Sequence, residues 1–154
     1  MKVIKTETGS FIIDKEDENI LLDGNWDIRI FKNIPYACCF SKRKYRSPLL
    51  HRCIMSAKKG EIVDHINGDS LDNRRSNLRI VNYSQNAMNK GPQRKKRSSK
   101  YKGVYLWNKK WWRTQIMVNG KSYCVDFLSE IDAAKKYNEL ALKYHGEFAR
   151  LNVI

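Results

Sequence analysis

Between residues 90 and 125 the chain has no acidic side chain, against 11 lysines and arginines. The rest is nearer balance: 8 basic and 7 acidic residues to position 45, 7 and 4 from 46 to 89, and 4 and 5 from 126 onward. A solvated surface mixes signs, so a one-signed stretch of this length, in a chain of net charge +14, points to a polyanionic partner. The stretch does not have the pattern of an amphipathic helix, which argues against a membrane surface. No apolar run approaches the ~20 residues needed to cross a bilayer. The opening residues Met1 to Glu7 lack the apolar core of a secretory signal, so a cytoplasmic protein with no membrane partner is expected. Cysteine is sparse. Cys38, Cys39, Cys53 and Cys124 form no Cys-x-x-Cys pair, which leaves a zinc ribbon without ligands and the thiols free in a reducing compartment.

What is present divides into four segments: a scaffold of short strands over 1–47, a core over 48–90, a basic linker over 91–100 and a C-terminal domain over 101–154. In the first, Phe11 to Ile13 and Trp26 to Ile30 read as strands, and Asp14 is placed to cap a short helix ending at Asp23-Gly24. In the second, Glu61-Ile62-Val63 runs into Asp64-His65 and the turn signal Asn67-Gly68, Asn77 to Val81 reads as a second strand, and Ser84 caps a short helix. The linker, with Arg94, Lys95, Lys96 and Arg97, suits phosphate and equally a nuclear-import signal. In the last, Tyr101 to Trp107, Trp111 to Val118 and Lys121 to Phe127 are strands, the latter two joined by Asn119-Gly120. Ser129 then caps a helix to Tyr144 whose stripe of Ala133, Tyr137, Leu140 and Tyr144 is core. The fold class is α+β.

Hydrolysis of a phosphodiester needs a cation to neutralise charge and a base to activate water. Asp64 offers a hard oxygen and His65 an imidazole that is neutral near pH 7. Adjacent side chains diverge on an ideal strand, so both serve one centre only if the backbone bends at this point. His51 reads as a buried histidine bonded to backbone. Arg74, Arg75 and Arg79 are assigned to phosphate contact.

Five blocks in order, Leu50-His51-Arg52, Val63 to Gly68, Leu71-Asp72-Asn73, Ser76 to Arg79 and Ser84-Gln85-Asn86, resemble the HNH endonucleases, in particular the phage and homing type. The resemblance implies a ββα-metal core with a single divalent cation held by Asp64 and Asn86, His65 as general base, and Asn77 tying the loop together and orienting His65. Many relatives carry histidine at the position of Asn86. Two oxygen ligands favour Mg²⁺, with Mn²⁺ as the substitute, over Zn²⁺ or Ni²⁺.

Four further blocks, Tyr101 to Val104, Trp112 to Ile116, Ala133 to Asn138 and Gly146 to Asn152, resemble the AP2 DNA-binding domain, a three-stranded antiparallel sheet on one helix that reads duplex DNA in the major groove. The resemblance sets Arg113, Gln115, Lys121 and Tyr123 on the DNA side; Lys102, Tyr105 and Trp107 join the candidates because aromatic and basic residues interleave along these strands. Arg113 and Gln115 are the candidate base readers. A strict two-residue hairpin would instead turn Lys121 and Tyr123 to the face of Trp112 and Ile116, and only a bulge reconciles the two. Cys124-Val125-Asp126-Phe127 also departs from the AP2 pattern, which carries a glycine here. The expected activity is metal-dependent cleavage of double-stranded DNA, of the homing type, by a monomer or weak dimer. The rivals are a DNA-binding regulator with a degenerate core and an RNA-binding protein.

Overall fold

In the computed structural model the described residues are 1–40, 48–92 and 98–154. The linker cations Arg94, Lys95, Lys96 and Arg97 lie outside them. The chain forms two compact units, Met1–Tyr83 and Ser84–Ile154.

The first unit is assembled from three antiparallel ribbons. β1 (Lys2–Lys5) pairs with β2 (Ser10–Ile13), β3 (Asn25–Phe31) with β4 (Ile34–Phe40), and β5 (Ile62–His65) with β6 (Leu78–Val81). A two-stranded ribbon is marginal alone, and these share one core: Phe11, Ile13, Ala37, Leu50, Ile54, Val63 and Leu78 are buried together. The N-terminal scaffold and the Asp64-His65 region are therefore one hydrophobic unit. The apolar run around His51 forms a short helix, α1 (Leu50–Ile54), and residues Lys15–Asp23 form a 3-10 helix. Asp14 does not cap that helix with its side chain; its carboxylate accepts from the Arg75 backbone N–H at 2.9 Å. Asn77 stands at the end of a 3-10 turn (Arg75–Asn77) just before β6 rather than on the strand.

The second unit carries nearly all of α2 (Tyr83–Asn89), then β7 (Val104–Trp107), β8 (Trp111–Val118), β9 (Lys121–Phe127) and α3 (Glu130–His145). Ser84, expected as a cap, lies inside α2. The first strand starts three residues later than expected. Gly103 has φ +69°, and a side chain there would strike the Tyr137 ring and the Gln115 carbonyl, so residues 101–103 form a turn that only glycine closes. Ser129 Oγ accepts from Asp132 N and caps α3 as expected. Tyr101, Val104, Ile116, Ala133, Ala134, Tyr137 and Ala141 make the core, with Trp112 packed against it. Asn152 closes the unit. Its side chain accepts from Lys102 N and donates to Lys102 O, and its backbone exchanges hydrogen bonds with the Asn138 amide. Among the described residues no helix is long and apolar enough to cross a membrane.

Candidate functional site

β5 ends in Asp64-His65, paired in register with Arg79 and Leu78 of β6. The chain then turns at once, with Gly68 N donating to His65 O at 2.9 Å and Gly68 at φ +77°; the turn follows the pair, and Asp64 and His65 are themselves consecutive strand residues with different surroundings. Asp64 is 8% exposed and His65 7%.

The carboxylate of Asp64 lies opposite the guanidinium of Arg79, whose Nε and Nη2 both reach Oδ2, at 3.1 and 3.0 Å. Arg79 is a cross-strand partner with a side chain only 13% exposed. Expected as a phosphate contact, it instead compensates the charge of a buried acid, because an unpaired buried carboxylate would be costly. Arg74 and Arg75 are likewise engaged within the chain. Arg74 holds Asp72 through both carboxylate oxygens, and Arg75 holds Asp17, 58 residues away, while its backbone N–H donates to Asp14. Asp14, Glu16 and Asp17 form an acidic cluster that Arg75 already neutralises in part.

The imidazole of His65 faces a different set of groups. Its Nε2 lies 3.4 Å from Asn73 Oδ1, its ring is 4.9 Å edge-on from the His51 ring, and the Tyr36 ring is 6.4 Å away. Asn73 is fully buried, and its amide orientation follows from Nδ2 donating to Leu71 O at 3.1 Å. Oδ1 therefore faces the ring as an acceptor, an orientation suited to a proton on Nε2. Burial holds the His65 pKa below its usual value, against the opposing pull of Asn73, Asp64, Asp69 and Asp72, so the ring is neutral at pH 7. His51, expected to bond to backbone, has a buried Nδ1 with no hydrogen-bond partner, and its pKa is pushed down to about 3 by burial, then by the charges of His65 and Arg52.

Asn77 is bonded at several points within the loop. Its side chain accepts from Asn67 N and donates to Asn67 Oδ1 and Asp72 O, all at 2.8 to 3.0 Å, while its carbonyl accepts from Ile66 N. The direct contact on the imidazole comes from Asn73, a residue the sequence reading placed in a motif block but gave no role. Asn73 is positioned from far along the chain, since β2 brackets it with Ile12 N to Leu71 O and Asn73 N to Ile12 O, both 2.8 Å.

These features coincide with a family. Residues 49–88 match the HNH endonuclease family. That stretch of the chain is similar to an HNH endonuclease domain. The chain is similar to a protein of Acanthamoeba polyphaga mimivirus described as an uncharacterised HNH endonuclease, 36% identical over 93 residues, covering 60% of this chain and 47% of that one. It is also similar to "Protein 3.8" of Escherichia phage T7, 29% identical over 117 residues, covering 71% of this chain and 94% of that one. The chain thus spans about half the length of the mimivirus relative. No solved structure matches. HNH nucleases generally use a divalent metal and act on DNA. Of the residues expected to hold such an ion, Asp64 of the first unit offers a buried carboxylate oxygen, a hard donor, and Asn86 lies half-buried on α2 of the second unit. A hard cation that keeps water and takes substrate phosphate needs few protein ligands.

In the second unit the hairpin has the strict register. Val118 pairs with Lys121, Ile116 with Tyr123, Gln115 with Cys124 and Arg113 with Asp126, across a turn in which Asn119 and Gly120 both have positive φ. Lys121 and Tyr123 are thus a correction. They lie on the helix side with Trp112 and Ile116, and Tyr123 stacks on Tyr144 of α3 at 5.6 Å. The outer face carries Tyr105, Trp107, Trp111, Arg113 and Gln115. There Arg113 grips Asp126 with two bonds of 2.6 and 2.7 Å and lies 4.1 Å over the Trp107 ring, while Gln115 donates to Ser122 Oγ. Lys102 is also corrected. Its half-buried ammonium donates to Met88 O, and burial lowers its pKa to about 8.

Proposed function

We propose that this protein is a metal-dependent DNA endonuclease that hydrolyses phosphodiester bonds of duplex DNA and is held there by an AP2-like second unit. The observation that carries the reading is His65, a buried imidazole kept neutral and fixed through Asn73 beside a carboxylate whose charge Arg79 compensates. His65 takes the proton of the attacking water. Asn73 holds the ring while Asn77 holds the loop that carries it. Asp64 and Asn86 would hold a divalent cation, Mg²⁺ or Mn²⁺, which when bound polarises the phosphate and stabilises the leaving oxygen. In the second unit the outer sheet face offers Tyr105, Trp107, Trp111 and Gln115, with Arg113 available to a guanine once it leaves Asp126. Linker cations add phosphate contact. One centre per chain makes a single-strand nick by a monomer the natural product. The homing role belongs to the same reading and requires one preferred site in a long duplex.

Supercoiled plasmid incubated with Mg²⁺ or Mn²⁺ tests it. Conversion to open circle that chelator abolishes and His65→Ala removes is expected. Duplex binding by the wild type with no cleavage under either metal would assign the protein to DNA binding alone.

A further inference from the structure

The ribbon of β3 and β4 is much longer than the core needs. Its far end is a two-residue turn, Lys32 and Asn33, both at positive φ. Pairing Phe31 with Ile34 and Arg29 with Tyr36 puts these four side chains on one face, with Phe40 further along it. Phe31 is 44% exposed and Ile34 40%, an arrangement that burial in the core does not explain. Arg29 lies 4.0 Å over the Phe40 ring, so a cation is held on the same face. The ribbon is anchored as well as extended, with Ser70 Oγ donating to Pro35 O and Cys39 N to Pro48 O.

That face is continuous with the nuclease centre. The rings run Phe31 to Tyr36 at 6.2 Å, and from Tyr36 to His51 at 5.6 Å and to His65 at 6.4 Å. A B-form duplex is far wider than one phosphate, so a strand presented to His65 brings its neighbouring base pairs over adjoining protein surface. Apolar side chains flanked by arginine and lysine suit a minor groove, whose walls are sugar and whose steps open to apolar wedges.

We propose that the β3–β4 face bearing Phe31, Ile34 and Tyr36 is the surface on which the duplex beside the scissile phosphate rests, with Phe31 and Ile34 pressed into the minor groove. The inference builds on the endonuclease reading, since that reading places the substrate at His65. Through Tyr36 the groove contact also sets where the cut strand meets the imidazole. A wedge of this kind kinks the duplex, by about 20–90° in general.

Two measurements on the full chain test it. The Phe31→Ser, Ile34→Ser double variant, checked for an unchanged melting temperature, is compared with wild type for binding a fluorescent duplex without metal and for plasmid nicking with Mn²⁺. Binding at least about tenfold weaker, equivalent to about 1.4 kcal/mol, and loss of duplex bending by end-to-end energy transfer are expected. Separately, a photoreactive benzoylphenylalanine at position 31 should crosslink to DNA beside the nick. Wild-type binding, bending and nicking by the double variant would overturn the proposal. So would irradiation that yields only protein–protein adducts, which would make the face a protein interface. If the wild type fails to nick under any metal, the endonuclease reading falls on that result alone. The crosslink and the metal-free binding still decide whether this face meets DNA.

Discussion

The two units treat charged side chains in opposite ways. In the first, Arg74, Arg75 and Arg79 all bind carboxylates of their own unit, and Asn67, Asn73 and Asn77 bond one another, the loop backbone or the imidazole, so polar groups are spent on internal geometry. In the second, the buried layer is mostly apolar, with Thr114, Ser99 and Asn89 its polar members, while Arg113 and Gln115 on the outer sheet face take short local partners, Asp126 and Ser122. Chemistry needs groups held to fractions of an ångström in a dry setting. Grip needs groups that can exchange one partner for another. The contrast predicts that substitutions in the first unit act on rate and folding, and those in the second on affinity.

The largest effect is expected from His65→Ala, a loss of about 10²- to 10⁴-fold in nicking rate with duplex affinity unchanged. Single-turnover kinetics beside a binding titration would show it, and a parallel loss of affinity would erase the division of labour. Since burial depresses the His65 pKa, the rate should persist below pH 6.5 and fall only where the imidazole takes up a proton.

Arg79→Ala comes next. It leaves Asp64 charged and nearly buried without the guanidinium opposite it, a change that costs about 3 kcal/mol when such pairs are broken from one side. The melting temperature should drop, and Mn²⁺ binding by titration calorimetry should weaken, because the carboxylate is no longer held in place. A drop in DNA affinity with stability and Mn²⁺ binding intact would return Arg79 to the phosphate contacts.

Much of this was open to sequence reading, and the boundary is instructive. The Asp64-His65 step, the Asn67-Gly68 turn and the Asn119-Gly120 hairpin are local, so adjacent letters suffice to find them. The helix start at Ser129 is local in the same sense. Asn73 escaped because asparagine is common in turns, and what makes it special is its bracketing by Ile12, some 60 residues away in sequence. The partner of Arg75 is equally remote, at Asp17. In the sheet, Asp126 registered only as a departure from the AP2 pattern. Its role as the clamp on Arg113 depends on register, which the hairpin letters supported and the family resemblance opposed. The register followed the turn chemistry.

A smaller effect separates folding of the first unit from its chemistry. With a folded pKa of about 3 against an unfolded value near 6.5, His51 resists a proton that the unfolded chain accepts. Its stabilising contribution is therefore fully present above pH 6.5 and is lost progressively as pH falls from there toward 3, by up to about 1.4 kcal/mol per unit. Urea midpoints at pH 7.5 and 5.5 should differ less in His51→Phe than in wild type. Identical pH slopes would mean that the buried ring does not govern acid stability.

The smallest difference tests the register of the second unit. Gln115→Ala and Tyr123→Ala alter residues that sit opposite each other's neighbours on adjacent strands, yet on opposite faces of the sheet. If the outer face grips DNA, Gln115→Ala should weaken a preferred duplex by about tenfold, or about 1.4 kcal/mol, within the range for one amide reading one base. Tyr123→Ala should leave affinity alone and instead lower the melting temperature by removing the stack on Tyr144. The slope of log affinity against log salt, near −4 to −5 if about five cations reach phosphate, should be the same in both variants, since neither changes a charge. Greater loss of DNA affinity from Tyr123→Ala than from Gln115→Ala would mean that the helix side meets the DNA, and would reverse the assignment of faces while leaving the nuclease centre of the first unit untouched.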